Sequence, residues 1–262
     1  MTETPFFEQP EDNLFVARDP ARGPWSKDAV HAGPVSGLVA RALEAEIPDK
    51  HLTRLTLDFV QTIPMQGFRI EAERVRNGRT LATGRARVFA TDGTLCVEAV
   101  STHLAARDPE PFPGAGEAPA PRDAAIAGAF PVTATLHGRP AFADFIDIAY
   151  PAGETPAPGP TALWMRTPPL LPDERPSPFQ SLCPLADCGS GISRNSEIDR
   201  VTFMNTDLTI VAHRRPRKAW LLSRAHSFWQ SDGIGLAQAE IADAHGPVAT
   251  VLQTLLLRPT PR

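Results

Sequence analysis

Apolar residues recur at helical spacing between Val30 and Glu46, where Val35, Leu38, Val39, Ala42 and Leu43 share one face. Gly33-Pro34 suits a first helical turn, and Pro48 marks the stop. A short strand is expected near residues 13–16. After the helix, residues 52–61, 68–75, 80–90 and 95–104 alternate as strands, with Asp92-Gly93 as the turn of the last hairpin. The order then returns. Residues 143–150 and 162–166 read as strands, and residues 178–192 as an apolar helix ending in glycines. Residues 201–212, 218–228, 235–242 and 248–257 follow as strands. His245-Gly246 stands where Asp92-Gly93 stood.

Two pairs of anchors test for a duplication. Pro64 and Pro216 each close the first long strand after a helix, 152 residues apart; Gly93 and Gly246 each sit in the last hairpin turn, 153 apart. Matching offsets from independent features are what a tandem repeat produces. The expected division is an N-terminal unit over residues 1–106, a Pro/Ala-rich linker region over 107–140, and a C-terminal unit over 141–262. The fold class is α+β: two units, each with an antiparallel sheet wrapped around a central helix. The copies differ in polar equipment. At an offset of 152, Asp187 corresponds to Val35.

With 262 residues, 42% of them hydrophobic, the chain can build one large core or two small ones. A net charge of -4, with no basic domain to carry clustered Lys/Arg, argues against nucleic acid as a partner. No apolar run is long enough to span a membrane, and the acidic first residues lack the apolar core of a signal peptide, so a cytoplasmic protein is expected. Cys96, Cys183 and Cys188 fit neither a disulfide framework nor a zinc site and read as buried thiols. No metal or cofactor is expected: there is no G-x-S-x-G elbow, no phosphate-binding glycine loop and no H-x-x-x-H pair.

A carboxylate at the tail of an apolar helix is the most unusual polar feature. Asp187 follows Leu185-Ala186, and burying it demands hydrogen-bond donors. Asn205 in the next strand and Gln253, which interrupts a long apolar run, can supply them. Such a set could hold and polarise a water, with Asp187 as general base. Plainer readings stand beside it: a solvent-facing helix-end Asp187, a strand-edge Asn205, a structural buried amide at Gln253. His31 is either a second base or a packed helix-start histidine. The run His213-Arg-Arg-Pro-Arg-Lys218 is either a solvated turn or a contact for phosphates.

Residues 177–193, SPFQSLCPLADCGSGIS, resemble the second-helix signature of the thioesterase-like double-hotdog family, which includes the bacterial acyl-CoA thioesterase II type. The run from Asn205 through His213 resembles the strand that follows it. Trp220-Leu-Leu, Asp232-Gly-Ile-Gly235-Leu-Ala and Val248-Ala-Thr-Val-Leu-Gln253 resemble the last three strands, and residues 31–43 the first helix. The resemblance implies a tandem hotdog that hydrolyses acyl-CoA thioesters through an Asp–Thr–Gln set. The Asp falls on Asp187 and the Gln on Gln253. The Thr position falls on Asn205, a departure, or on Thr206 if the strand slips by one residue. Backbone N–H groups at a helix start, such as that of residues 31–37, would stabilise the oxyanion. His31, Gly33, Thr206 and Arg214 are the candidate substrate contacts, and a homodimer is possible. Two other functions compete. One is a non-catalytic acyl-thioester-binding protein. The other is a hotdog hydratase, whose D-x-x-x-x-H pattern would put a histidine where this chain has Ile192.

Overall fold

The computed structural model describes residues 4–106, 122–132 and 137–260. The first half contains β1 (Phe7–Glu11), β2 (Leu14–Ala17), helix α1 (Ala32–Glu46), β3 (His51–Phe59), β4 (Phe68–Asn77), β5 (Leu81–Ala90) and β6 (Leu95–Leu104). The second contains β7 (Ile126–Gly128), β8 (Asp147–Tyr150), β9 (Thr161–Arg166), α2 (Cys183–Ala186), α3 (Gly189–Ile192), β10 (Val201–Asn205), β11 (Asp207–Ala212), β12 (Leu221–Trp229), β13 (Ile234–Asp243) and β14 (Gly246–Pro259).

All pairings are antiparallel, and the strands form one sheet in the order β1-β2-β4-β5-β6-β3-β11-β14-β13-β12-β9-β8-β7, with β10 added on β14. The five strands β2-β4-β5-β6-β3 and the five strands β9-β12-β13-β14-β11 follow the same path through their own halves. They meet at β3 and β11, where Thr56 pairs with Thr209 and the two hydroxyl oxygens lie 3.2 Å apart. These threonines are 153 residues apart in the chain, the offset read from the hairpin glycines. The inner faces of the two strands, Leu55, Leu57, Leu208 and Ile210, are fully buried against the helices. Val35, Leu38, Val39 and Leu43 form the buried face of α1, as their spacing requires.

The helix expected over 178–192 is broken. A 3-10 turn (Gln180–Leu182) runs into α2, and the chain breaks at Asp187-Cys188 before α3. Pro184 brings no N–H, and Gly189 and Gly191 are weak helix formers. In addition, the Ser190 N–H, which a continuous helix would give to the carbonyl four residues back, goes to Gln253 Oε1 at 3.0 Å.

The strand expected over 201–212 is also interrupted. Asn205 pairs with Leu255, but Thr209 pairs with Leu252, so the register slips by one residue at Thr206. Without the slip, odd and even positions would face opposite sides throughout. With it, Phe203 and Asn205 face the core together with Leu208 and Ile210. Asp207 secures the bulge, accepting the Thr254 N–H at 2.7 Å and the Thr254 hydroxyl at 2.9 Å. Residues 143–146, expected as strand, begin in a 3-10 turn (Phe142–Asp144) closed by Asp144, whose carboxylate accepts the Ala141 N–H. Within the region expected as linker, β7 adds an edge strand beside β8, and Phe130 and Val132 are buried in the main core.

Candidate active site

Asp187 lies at the break between α2 and α3 and is 7% exposed. A carboxylate at that depth must be fully hydrogen-bonded. Its Oδ1 accepts from Asn205 Nδ2 at 2.8 Å and from Gln253 Nε2 at 3.2 Å. Its Oδ2 lies 3.0 Å from His31 Nδ1. The structure therefore brings together Asp187, Asn205, Gln253 and His31, contributed by the helix break, β10, β14 and the amino end of α1.

Each partner is held in one orientation. Gln253 is 1% exposed. Its Nε2 donates to the Asp187 carbonyl at 3.0 Å as well as to the carboxylate, and its Oε1 takes the Ser190 N–H. It clamps the two sides of the helix break to β14. Asn205 Nδ2 also donates to the Asp207 carbonyl at 3.2 Å, which fixes which end of the amide is nitrogen. The Asn205 Oδ1 atom accepts no hydrogen bond among the described residues.

His31 caps α1. Its Nδ1 is 3.2 Å from the Gly33 N–H, and its ring stacks on Phe142 with centroids 4.3 Å apart. Nδ1 thus faces both a helix N–H and a carboxylate oxygen. A lone pair on Nδ1 would serve the first and a proton on it the second. Gly33 is where the two helical segments cross. A β-carbon there would stand 2.9 Å from the Pro184 carbonyl oxygen and 3.0 Å from Asp187 Cβ.

A cavity of about 520 Å³ opens beside this cluster, lined by His31, Ala32, Asp187, Asn205, Trp25, Phe59, Phe130, Phe142 and Phe203 among others. Its walls are mainly apolar, with the polar cluster on one side, the usual make-up of a small-molecule site. Gln253 sits behind Asp187 rather than in the wall. Phe130, Val132 and Phe142 were not singled out from the sequence. Their signal was an apolar triplet of positions in and beside a segment rich in proline.

Thr206 is exposed on the bulge, and its hydroxyl reaches only the Thr254 carbonyl, at 3.5 Å. Arg214 is elsewhere too. Its guanidinium grips Asp243 at 2.7 and 3.0 Å and the Gly246 carbonyl at 2.6 Å, holding the β13–β14 turn. It borders a different hollow of about 470 Å³, with Glu44, Lys50 and Phe179. Neither residue reaches Asp187. Burial pushes the Cys183 and Cys188 thiols well above their ordinary range, and nearby carboxylates add to this, which makes both poor nucleophiles. Among the described residues no group of three His, Cys, Asp or Glu side chains could hold a metal ion.

Comparison with known proteins gives this geometry a context. Residues 21–104 match the acyl-CoA thioesterase N-terminal domain, and residues 109–257 match the acyl-CoA thioesterase C-terminal domain. The chain belongs to the acyl-CoA thioesterase family. Its fold is shared with solved structures at low identity. A protein of Novosphingobium aromaticivorans described as a candidate thioesterase is 22% identical, with a TM-score of 0.76 over 97% of this chain and 99% of that one. A protein of Alicyclobacillus acidocaldarius described as having a hot dog fold is 17% identical, with a TM-score of 0.72 over 96% and 95%. Acyl-CoA thioesterase II TesB2 of Mycobacterium marinum is 20% identical, with a TM-score of 0.62 over 97% and 95%. No curated protein matches the chain in sequence. Among the described residues of this family member, no helix is long and apolar enough to cross a membrane.

Proposed function

We propose that this chain is a tandem double hotdog, divided as residues 1–106 and 141–262 with 107–140 between them, that hydrolyses acyl-CoA thioesters to free acid and CoA. The observation that carries the reading is the buried Asp187 carboxylate, held by Asn205 and Gln253 on the wall of a largely apolar cavity. The acyl chain lies along the aromatic wall. A water held at the cluster of Asp187, Asn205 and Gln253 gives one hydrogen to Asn205 Oδ1 and is activated there. It attacks the thioester carbonyl, and the proton taken from it leaves on the CoA sulfur. Ala32, the first residue of α1, lines the same cavity, and its N–H is suited to the developing oxyanion. Gln253 has no N–H left for the water and acts by positioning Asp187. A homodimer fits the exposed Val100, Val211, Leu236 and Leu252 on the outer sheet face.

A second reading is favoured by one observation. Both N–H groups of Asn205 and both of Gln253 are spent within the protein. A non-catalytic binder of acyl thioesters would need no more than this. Release of CoA thiol from acyl-CoAs of several chain lengths, measured for the wild type and Asp187→Asn, separates the two. Turnover that vanishes in Asp187→Asn supports hydrolysis. Tight binding without turnover on any chain length supports the binder.

A further inference from the structure

We propose that His31 is the group that takes the proton from the water and returns it to the sulfur, with Asp187 as the carboxylate that orients and charges it. This rests on the hydrolysis proposed above and assigns its proton transfers.

Asp187 Oδ1 already accepts two amide N–H groups, and Oδ2 is in contact with His31 Nδ1 at 3.0 Å. Three of the roughly four acceptor positions of this buried carboxylate are taken before any water arrives. Of the two neighbours of Nδ1, the Gly33 N–H needs a lone pair there and the carboxylate needs a proton. With the proton on Nδ1, the bond to the poorly solvated buried carboxylate replaces the helix-capping bond from Gly33, and the ring's lone pair is on Nε2. That nitrogen has no hydrogen-bond partner among the described residues, and it is not among the unpartnered atoms sealed from solvent. The ring borders the cavity. Phe142 stacks on its face, with ring centroids 4.3 Å apart.

The step balances. The water's proton goes to Nε2 as its oxygen bonds to the thioester carbon. The charge on the imidazolium is offset across Nδ1–H by Asp187. Collapse of the tetrahedral species breaks the carbon–sulfur bond, and Nε2–H gives its proton to the sulfur. The acid and CoA thiol leave, and His31 is restored. A base oriented by a buried acid is the arrangement of the serine-hydrolase triad with water in place of the serine.

The test uses the full chain with an acyl-CoA that the wild type turns over. His31→Ala is expected to lose roughly 100- to 10,000-fold in kcat. Free imidazole should restore part of the loss, and a series of substituted imidazoles should restore more as their basicity rises. Asp187→Asn should not be rescued. His31→Gln covers the case of a misfolded His31→Ala: its amide can hold the Asp187 carboxylate but cannot carry a proton, so kcat should fall while KM stays near the wild-type value. Wild-type kcat in His31→Gln, or rescue of His31→Ala that ignores basicity, overturns the role of His31 and leaves the thioesterase reading intact. A wild type with no turnover on any acyl-CoA removes that reading itself.

Discussion

Gly33 and Asp187 meet where the two helical segments cross, at a spacing that excludes any side chain: a β-carbon on Gly33 would lie 3.0 Å from Asp187 Cβ and 2.9 Å from the Pro184 oxygen. The Pro184 atom is backbone and cannot swing aside. Gly33→Ala should therefore push α1 away from the helix break. The expected cost is about 1–3 kcal/mol in stability, read by urea unfolding. Activity should fall further than stability alone explains, since His31 and Asp187 ride on the two displaced segments.

Asn205 is 2.8 Å from Asp187 through its amide nitrogen. Asn205→Asp replaces a donor with a second carboxylate at that distance. Two carboxylates so close cannot both ionise. The pair holds a proton, and kcat at neutral pH should drop by roughly 10- to 100-fold while the circular dichroism spectrum stays native. Unchanged kcat would mean that Asn205 does not act on the Asp187 carboxylate.

Arg214 was a candidate phosphate contact, but its guanidinium is bound to the fully buried Asp243. Burial pushes that carboxyl up, yet hydrogen bonds from Arg214 and from the Arg217 and His245 N–H groups, with the Arg214 charge, hold it below its ordinary value. A lowered carboxyl contributes stability that is present above the unfolded value of about 3.9 and lost as pH falls through the folded one. Arg214→Ala should cost about 2–4 kcal/mol, below the upper end for a buried pair because the arginine is partly exposed. KM for acyl-CoA should not change; a large rise in KM would restore the phosphate-binding role.

His103 has no exposed surface; its Nε2 is 3.0 Å from the Ser101 hydroxyl, and its Nδ1 has no partner. Burial pulls it down to about 4 from 6.5. The unfolded chain then binds the proton first, so stability should fall as pH drops from about 6.5 to about 4, by on the order of 2–3 kcal/mol. His103→Leu should flatten that slope in acid-unfolding curves.

The three cysteines are all buried. A thiol reagent should find none of them in the native protein and three in denaturant. Native titration of a cysteine would contradict the packing around the helix break. If the expectation holds, CoA release can be followed with the same reagent without background from the enzyme.

Much of this was legible in the sequence because it is local. The strand β6 begins and ends at Leu95 and Leu104 as its alternation predicts, and α1 keeps the face set by Val35, Leu38, Val39 and Leu43. Asp187, Asn205 and Gln253 stood out because polar groups in apolar runs need partners. What was not legible depends on contacts between distant segments. The helix breaks at Asp187 because Gln253, sixty-six residues away, takes an N–H from its ladder. The strand slips at Thr206 because Asp207 binds Thr254. His31 reaches Asp187 because two helical segments cross.

The pairing of β3 with β11 through Thr56 and Thr209 makes a single sheet of the two halves. There is no hinge at that seam, since opening it would break a ladder of buried strands. On the proposed reading, an acyl chain would meet Trp25, Phe130 and Phe142 at the cavity wall. Those residues come from outside the repeated strands. The continuous sheet is then a frame, and on the proposed reading selectivity for acyl length is free to change through segments outside it without disturbing its ladder.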